Sequence, residues 1–110
     1  MKAKFYTASE IGYAEAGRLP EKRYAGMFAA KEAVFKALNL NWTGPFTWKW
    51  IEIDHAPDGS PRVKLHADLD AVHQSHDARS TTVSISYAGS YAVAVALAEL
   101  RDCYAQDRTP

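Results

Sequence analysis

Phe28-Ala-Ala-Lys-Glu-Ala-Val-Phe-Lys-Ala-Leu38 is the stretch on which the fold turns. It holds neither glycine nor proline and is rich in alanine, so it reads as uninterrupted helix. Working upstream, the helix opens near Pro20, tolerated in a first turn, and continues through Glu21-Lys22-Arg23. Downstream it closes at Leu38, where Asn39 offers a left-handed stop. At the helical period, Tyr24, Met27, Phe28, Val34, Phe35 and Leu38 gather on one bulky side, and Ala25, Ala29, Ala33 and Ala37 form a second face with almost no side-chain volume. Lys31 falls inside the bulky stripe. Glu32 and Lys36 lie one turn apart on the seam, either as a solvated ion pair or as the polar members of a site that the small alanines let a ligand approach.

The flanking sequence supplies the rest of an α+β pattern. Thr7-Ala-Ser-Glu10 opens a first helix, with Thr7 or Ser9 accepting from free amides and Glu10 suited to the positive helix end, and Gly17 ends it. After the loop formers of 41–45, Trp48 to Asp54 alternates as a strand. His55-Ala-Pro-Asp-Gly-Ser-Pro61 is a turn, and Arg62 to His66 resumes the alternation, predicting a hairpin. Asp68 to Asp77 reads as a helix with a thin apolar stripe. Thr82–Tyr87 and Tyr91–Leu97 alternate around Ala88-Gly89-Ser90, a second hairpin that sets Val83, Ile85 and Tyr87 opposite Tyr91, Val93, Val95 and Leu97.

Composition narrows the function. The 110 residues suit one domain over 1–100 with a polar tail at 101–110, and 47% hydrophobic with 24% charged residues exclude disordered and disulfide-scaffold classes. Thirteen Lys and Arg balance thirteen Asp and Glu, so no overall field favours nucleic acid. The single Cys103 and the absence of an apolar leader point to a cytoplasmic protein. The longest apolar run, Tyr91 to Leu97, is far short of the roughly 18 residues of a bilayer span.

The wording of the long helix, from Phe28 to Leu38, resembles the signature helix of the holo-acyl-carrier-protein synthases, the small 4′-phosphopantetheinyl transferases. The resemblance extends to Phe5-Tyr-Thr-Ala-Ser-Glu-Ile-Gly-Tyr13, Trp48 to Ile53, Gly59-Ser-Pro61, Val83-Ser-Ile-Ser86 and Tyr91-Ala-Val-Ala94, in order, over most of the chain. It implies an antiparallel sheet packed on a long signature helix, and transfer of the phosphopantetheine arm of coenzyme A to a serine of an acyl or peptidyl carrier protein. In that scheme magnesium holds the pyrophosphate on Glu32, Lys36 stands near the attacking serine or the phosphates, Lys31 contacts phosphate, and Pro61, Ser86 and Tyr87 border the coenzyme. The family often assembles as trimers, and a homo-oligomer is the expectation here. A hard cation on oxygen ligands and positive charge at the leaving group are what a phosphoryl centre requires.

Several positions depart from the family pattern. No aspartate precedes Asp54, Met27 stands for an arginine, Asn39-Leu40-Asn41 for a glycine-rich turn, Trp50 for an aspartate and Tyr87 for a histidine. Two further readings therefore stand beside transfer. One is a repurposed fold whose Trp48, Trp50, Tyr87 and Tyr91 line an aromatic pocket for another small molecule. The other is a non-catalytic carrier binder that keeps the surface of Lys31 and Lys36. His73 and His76 with Asp70 and Asp77 read as a polar helix face, and His55 and His66 as surface residues.

Overall fold

The computed structural model describes residues 2–38, 46–66 and 81–98. A short turn of helix, α1 (Lys2–Phe5), precedes Thr7, which starts the main assembly. The Thr7 hydroxyl accepts from the Glu10 amide at 3.1 Å while the Glu10 carboxylate accepts from the Thr7 amide at 2.8 Å. This reciprocal cap satisfies two otherwise open donors and launches α2 (Ala8–Glu15). The long helix α3 (Pro20–Ala37) has Pro20 in its first turn, as expected. Its buried stripe of Met27, Ala30, Val34 and Leu38 meets Ala14 of α2 and Ile51 and Ile53 to form the core.

The expected first strand is shorter than its alternation suggested. Trp48–Trp50 forms a 3₁₀ turn, capped by the Thr47 hydroxyl accepting from the Lys49 amide at 3.3 Å, and β1 covers only Ile51–His55. Period-two spacing of tryptophans was thus overridden by a local cap. β1 pairs antiparallel with β2 (Pro61–Leu65), matching Ile51 to Leu65 and His55 to Pro61. Gly59 turns the chain between them at φ 90°, and Asp58 accepts from the amide and hydroxyl of Ser60.

β3 (Thr82–Ala88) and β4 (Tyr91–Leu97) form the second antiparallel pair. The expected facing of its side chains is corrected by the register. Only Gly89 and Ser90 separate the paired Ala88 and Tyr91, so Val83, Ile85 and Tyr87 lie opposite Ala96, Ala94 and Ala92. The turn is one residue shorter than the three read from sequence, and a shift of one residue exchanges the faces. Hence the alanines of β4 face α3, while Tyr91, Val93, Val95 and Leu97 are 57–75% exposed. Small residues face the helix because α3 comes close there.

The described residues therefore make an α+β fold in which α3 packs against β1, β3 and β4. Asn39, the helix expected over 68–77 with its histidines, and the tail with Cys103 lie outside the described residues. Among the described residues no helix is long and apolar enough to cross a membrane.

Candidate functional site

The bulky stripe of α3 carries Lys31 into the core, where its side chain is fully buried. A bare ammonium there would be prohibitive, and three acceptors surround it. Lys31 Nζ lies 2.8 Å from Glu10 Oε2 and donates to the carbonyls of Ile51 at 2.6 Å and Trp48 at 3.0 Å. The Tyr6 ring closes the site, its centroid 5.7 Å from Nζ. Glu10 Oε2 also accepts from the Ile53 amide at 2.7 Å. The pair thus joins α2, α3 and β1. Burial lowers the Lys31 pKa from its ordinary value, with Glu10 opposing that shift, and burial pushes the Tyr6 phenol up to about 12. Lys31, expected to contact phosphate, has its ammonium directed at Glu10 and the carbonyls of Ile51 and Trp48.

One residue later the helix turns outward. Glu32 and Lys36 are exposed one turn apart on α3, and among the described residues neither forms an ion pair. Of the solvated pair and the site expected from their spacing, the first is absent. Ser86 lies on the outward face of β3, across from Val93, and Pro61 opens β2 across from His55.

Tyr87 faces α3. A methyl group built on Gly26 would overlap the Tyr87 hydroxyl and lie 3.1 Å from Ile85 Cγ2, so this close approach requires glycine. Lys22 Nζ sits 5.0 Å from the centroid of the Tyr87 ring. Burial raises the Tyr87 pKa, Tyr13 adds to that rise and Arg23 opposes it. Two grooves of about 450 and 420 Å³ meet at this ring. The first runs beneath Leu19, Ala25 and Tyr91, and the second is lined by Tyr13, Arg18, Lys22 and Arg23.

The expected four-residue aromatic pocket is not assembled in one place. Trp48 packs against Phe28, Phe35 and Phe46 at 5.2–5.4 Å and Trp50 against Phe46 at 5.6 Å, while Tyr87 and Tyr91 border the groove at the other end of α3. His55 is half-buried rather than a surface residue, stacked on Tyr13 at 3.7 Å. Its Nδ1 is buried without a partner among the described residues. Arg23 lies 4.1 Å from the Tyr13 ring centroid and donates to the Tyr13 carbonyl at 2.7 Å. His66 is exposed as expected, with Nε2 2.7 Å from Glu52. Glu10, Tyr13, Arg18, Lys22 and Arg23 were not singled out from sequence as site residues. For Glu10 the usable signal was a lysine set in an apolar stripe, which demands a buried anion.

Magnesium needs several oxygen ligands in near-octahedral array. Glu32 would offer one carboxylate, and among the described residues no group of three His, Cys, Asp or Glu side chains is placed to hold a metal ion. The described side chains alone fall short of such a site.

Comparison with known proteins bears on the same residues. A family model described as the 4′-phosphopantetheinyl transferase superfamily matches residues 1–96. The holo-[acyl-carrier-protein] synthase of Moorella thermoacetica is 40% identical over 97 residues, 88% of this chain and 75% of that protein. Its counterpart in Caldicellulosiruptor bescii is 41% identical over 96 residues, 87% of this chain and 78% of that protein. The crystal structure of the Helicobacter pylori holo-[acyl-carrier-protein] synthase in complex with coenzyme A superposes with a TM-score of 0.72 at 28% identity, covering 88% of this chain and 79% of that one.

Proposed function

The chain belongs to the 4′-phosphopantetheinyl transferase superfamily, and from that premise we propose that it transfers the 4′-phosphopantetheine arm of coenzyme A to a serine of an acyl or peptidyl carrier protein. The serine oxygen forms a bond to the phosphorus that carries the arm, the bond from that phosphorus to the bridging pyrophosphate oxygen breaks, and adenosine 3′,5′-bisphosphate departs as the serine loses its proton. The observation that carries this reading is the exposed Glu32 and Lys36, side by side on α3 and not neutralising each other. Lys36 is a cation available where charge develops on the leaving phosphate. Glu32 is the carboxylate this reading assigns to magnesium, and the role of Lys36 stands without the metal.

The coenzyme belongs in the grooves at Tyr87, where Arg18, Lys22 and Arg23 offer positive charge beside aromatic faces; Pro61 and Ser86 do not line these grooves and have no part in this placement. The outward stripe of Tyr91, Val93, Val95 and Leu97 is the surface this reading assigns to neighbouring copies in a homotrimer, in a cytoplasmic setting.

The test is the intact mass of several apo carrier proteins after incubation with this protein, coenzyme A and magnesium. A gain of the phosphopantetheine mass is expected, lost on chelation and in Glu32→Gln with the thermal melt unchanged. Full activity in Glu32→Gln overturns the role of Glu32. No gain on any carrier, where another transferase succeeds, overturns transfer.

A further inference from the structure

At the start of α3 one cation belongs to both grooves. Lys22 lines each of them, and among the described residues it forms no ion pair. Arg23 is differently placed, since the Tyr13 carbonyl and ring already hold its guanidinium. What holds Lys22 is the face of Tyr87, 5.0 Å from ammonium to centroid, within the range of a cation–π contact. A ring face attracts an ammonium without neutralising it, so the N–H donors directed away from the ring stay available to a ligand oxygen. The ring packs on α3 with its hydroxyl tucked against bare Gly26. Charge selects between the two grooves. Glu21 lines the first, whereas the second has Arg18, Lys22 and Arg23 and, among the described residues, no carboxylate in its wall.

We propose that in this chain Lys22 is a phosphate-binding residue for the coenzyme in the second groove, and that Tyr87, packed against Gly26, is the positioning residue that holds the ammonium there. This rests on the coenzyme reading above. The Tyr87 ring thus serves through its face and not through its hydroxyl. The phosphate is either the terminal 3′-phosphate of the coenzyme or its pyrophosphate, and the two differ in what dephospho-coenzyme A, which lacks the first, will show.

Calorimetric titration of the full chain with coenzyme A and with dephospho-coenzyme A tests this without turnover. Lys22→Met is expected to weaken coenzyme A by about tenfold, the size of one lost charge-assisted hydrogen bond, and to flatten the dependence of binding on salt, while Lys22→Arg keeps most of the affinity. A loss confined to coenzyme A assigns Lys22 to the 3′-phosphate; an equal loss with both compounds assigns it to the pyrophosphate. Tyr87→Phe is expected to bind as the parent does, and Tyr87→Leu to fall towards Lys22→Met. Gly26→Ala, which expels the ring while improving helix propensity, is expected to copy Tyr87→Leu. Unchanged affinity in Lys22→Met overturns the phosphate role, and unchanged affinity in Tyr87→Leu overturns the positioning role. Failure of the parent chain to bind either compound overturns the coenzyme reading itself.

Discussion

Lys31 and Lys36 leave the same helix, and their surroundings are opposite. Lys31 points to the core and has Glu10 and two carbonyls for its three protons, whereas Lys36 points to solvent with no ion pair among the described residues. The difference teaches how one helix divides labour. The buried lysine fixes where α3 sits against α2 and β1, so that the exposed one and its neighbour Glu32 are presented on a backbone that does not drift. A charge whose partners are complete is structural; one without partners is available for chemistry.

Removing the buried member should have the largest effect. Lys31→Met leaves Glu10 as an uncompensated buried charge, and a loss of about 3–5 kcal/mol in unfolding free energy is expected by denaturant titration. A loss under about 1 kcal/mol, the range of an exposed pair, would break the comparison by showing the pair to be effectively solvated. Removing the exposed member should do the reverse. Lys36→Met should lower the rate of carrier modification by about 10²–10³, as when one donor to a developing oxyanion is deleted, while shifting stability by no more than about 0.5 kcal/mol. Equal losses in rate and stability would erase the distinction.

The smallest effect sharpens the comparison at its edge, where a ring rather than an ammonium is buried. Burial first, and Arg23 second, hold the His55 pKa below the 6.5 of a free imidazole, with Asp54 opposing them. The folded state therefore favours the neutral ring, and the unfolded state takes up the proton first. Stability from this group is complete above pH about 6.5 and declines as pH falls from there towards the lowered folded value. The melting temperature should fall on acidification through that window, and His55→Phe, which keeps the stack on Tyr13, should lose that part of the slope. An unaltered slope would assign the acid sensitivity elsewhere.

Much of this was legible in the sequence because it is local. The run from Thr7 to Glu10 marks a helix start, the span from Pro20 to Leu38 marks a helix, and the alternation on either side of Gly89 marks a hairpin. What was not legible is long-range. Glu10 reads as a favourable charge at a helix end, and only the approach of Lys31 and Ile53, distant in the chain, turns it into a core residue. Alternation in β4 gives the period and not the sign: valines normally face inward, yet the close packing of α3 on β4 reserves that side for alanine. For the site, Glu32 and Lys36 were visible at helical spacing, whereas the meeting of Lys22 with Tyr87 depends on how the hairpin folds back over α3.

The contacts of Glu10 and Lys31 with β1 also have a bearing on the company the protein keeps. The Ile53 amide and the Ile51 carbonyl, which look away from β2, are the groups another chain's strand would seize to extend the sheet into an aggregate. A carboxylate and an ammonium already occupy them. The same ion pair that anchors the helix therefore acts as a guard on the edge of β1 that faces away from β2, and a variant that loses it should be prone to sticking to itself as well as to unfolding.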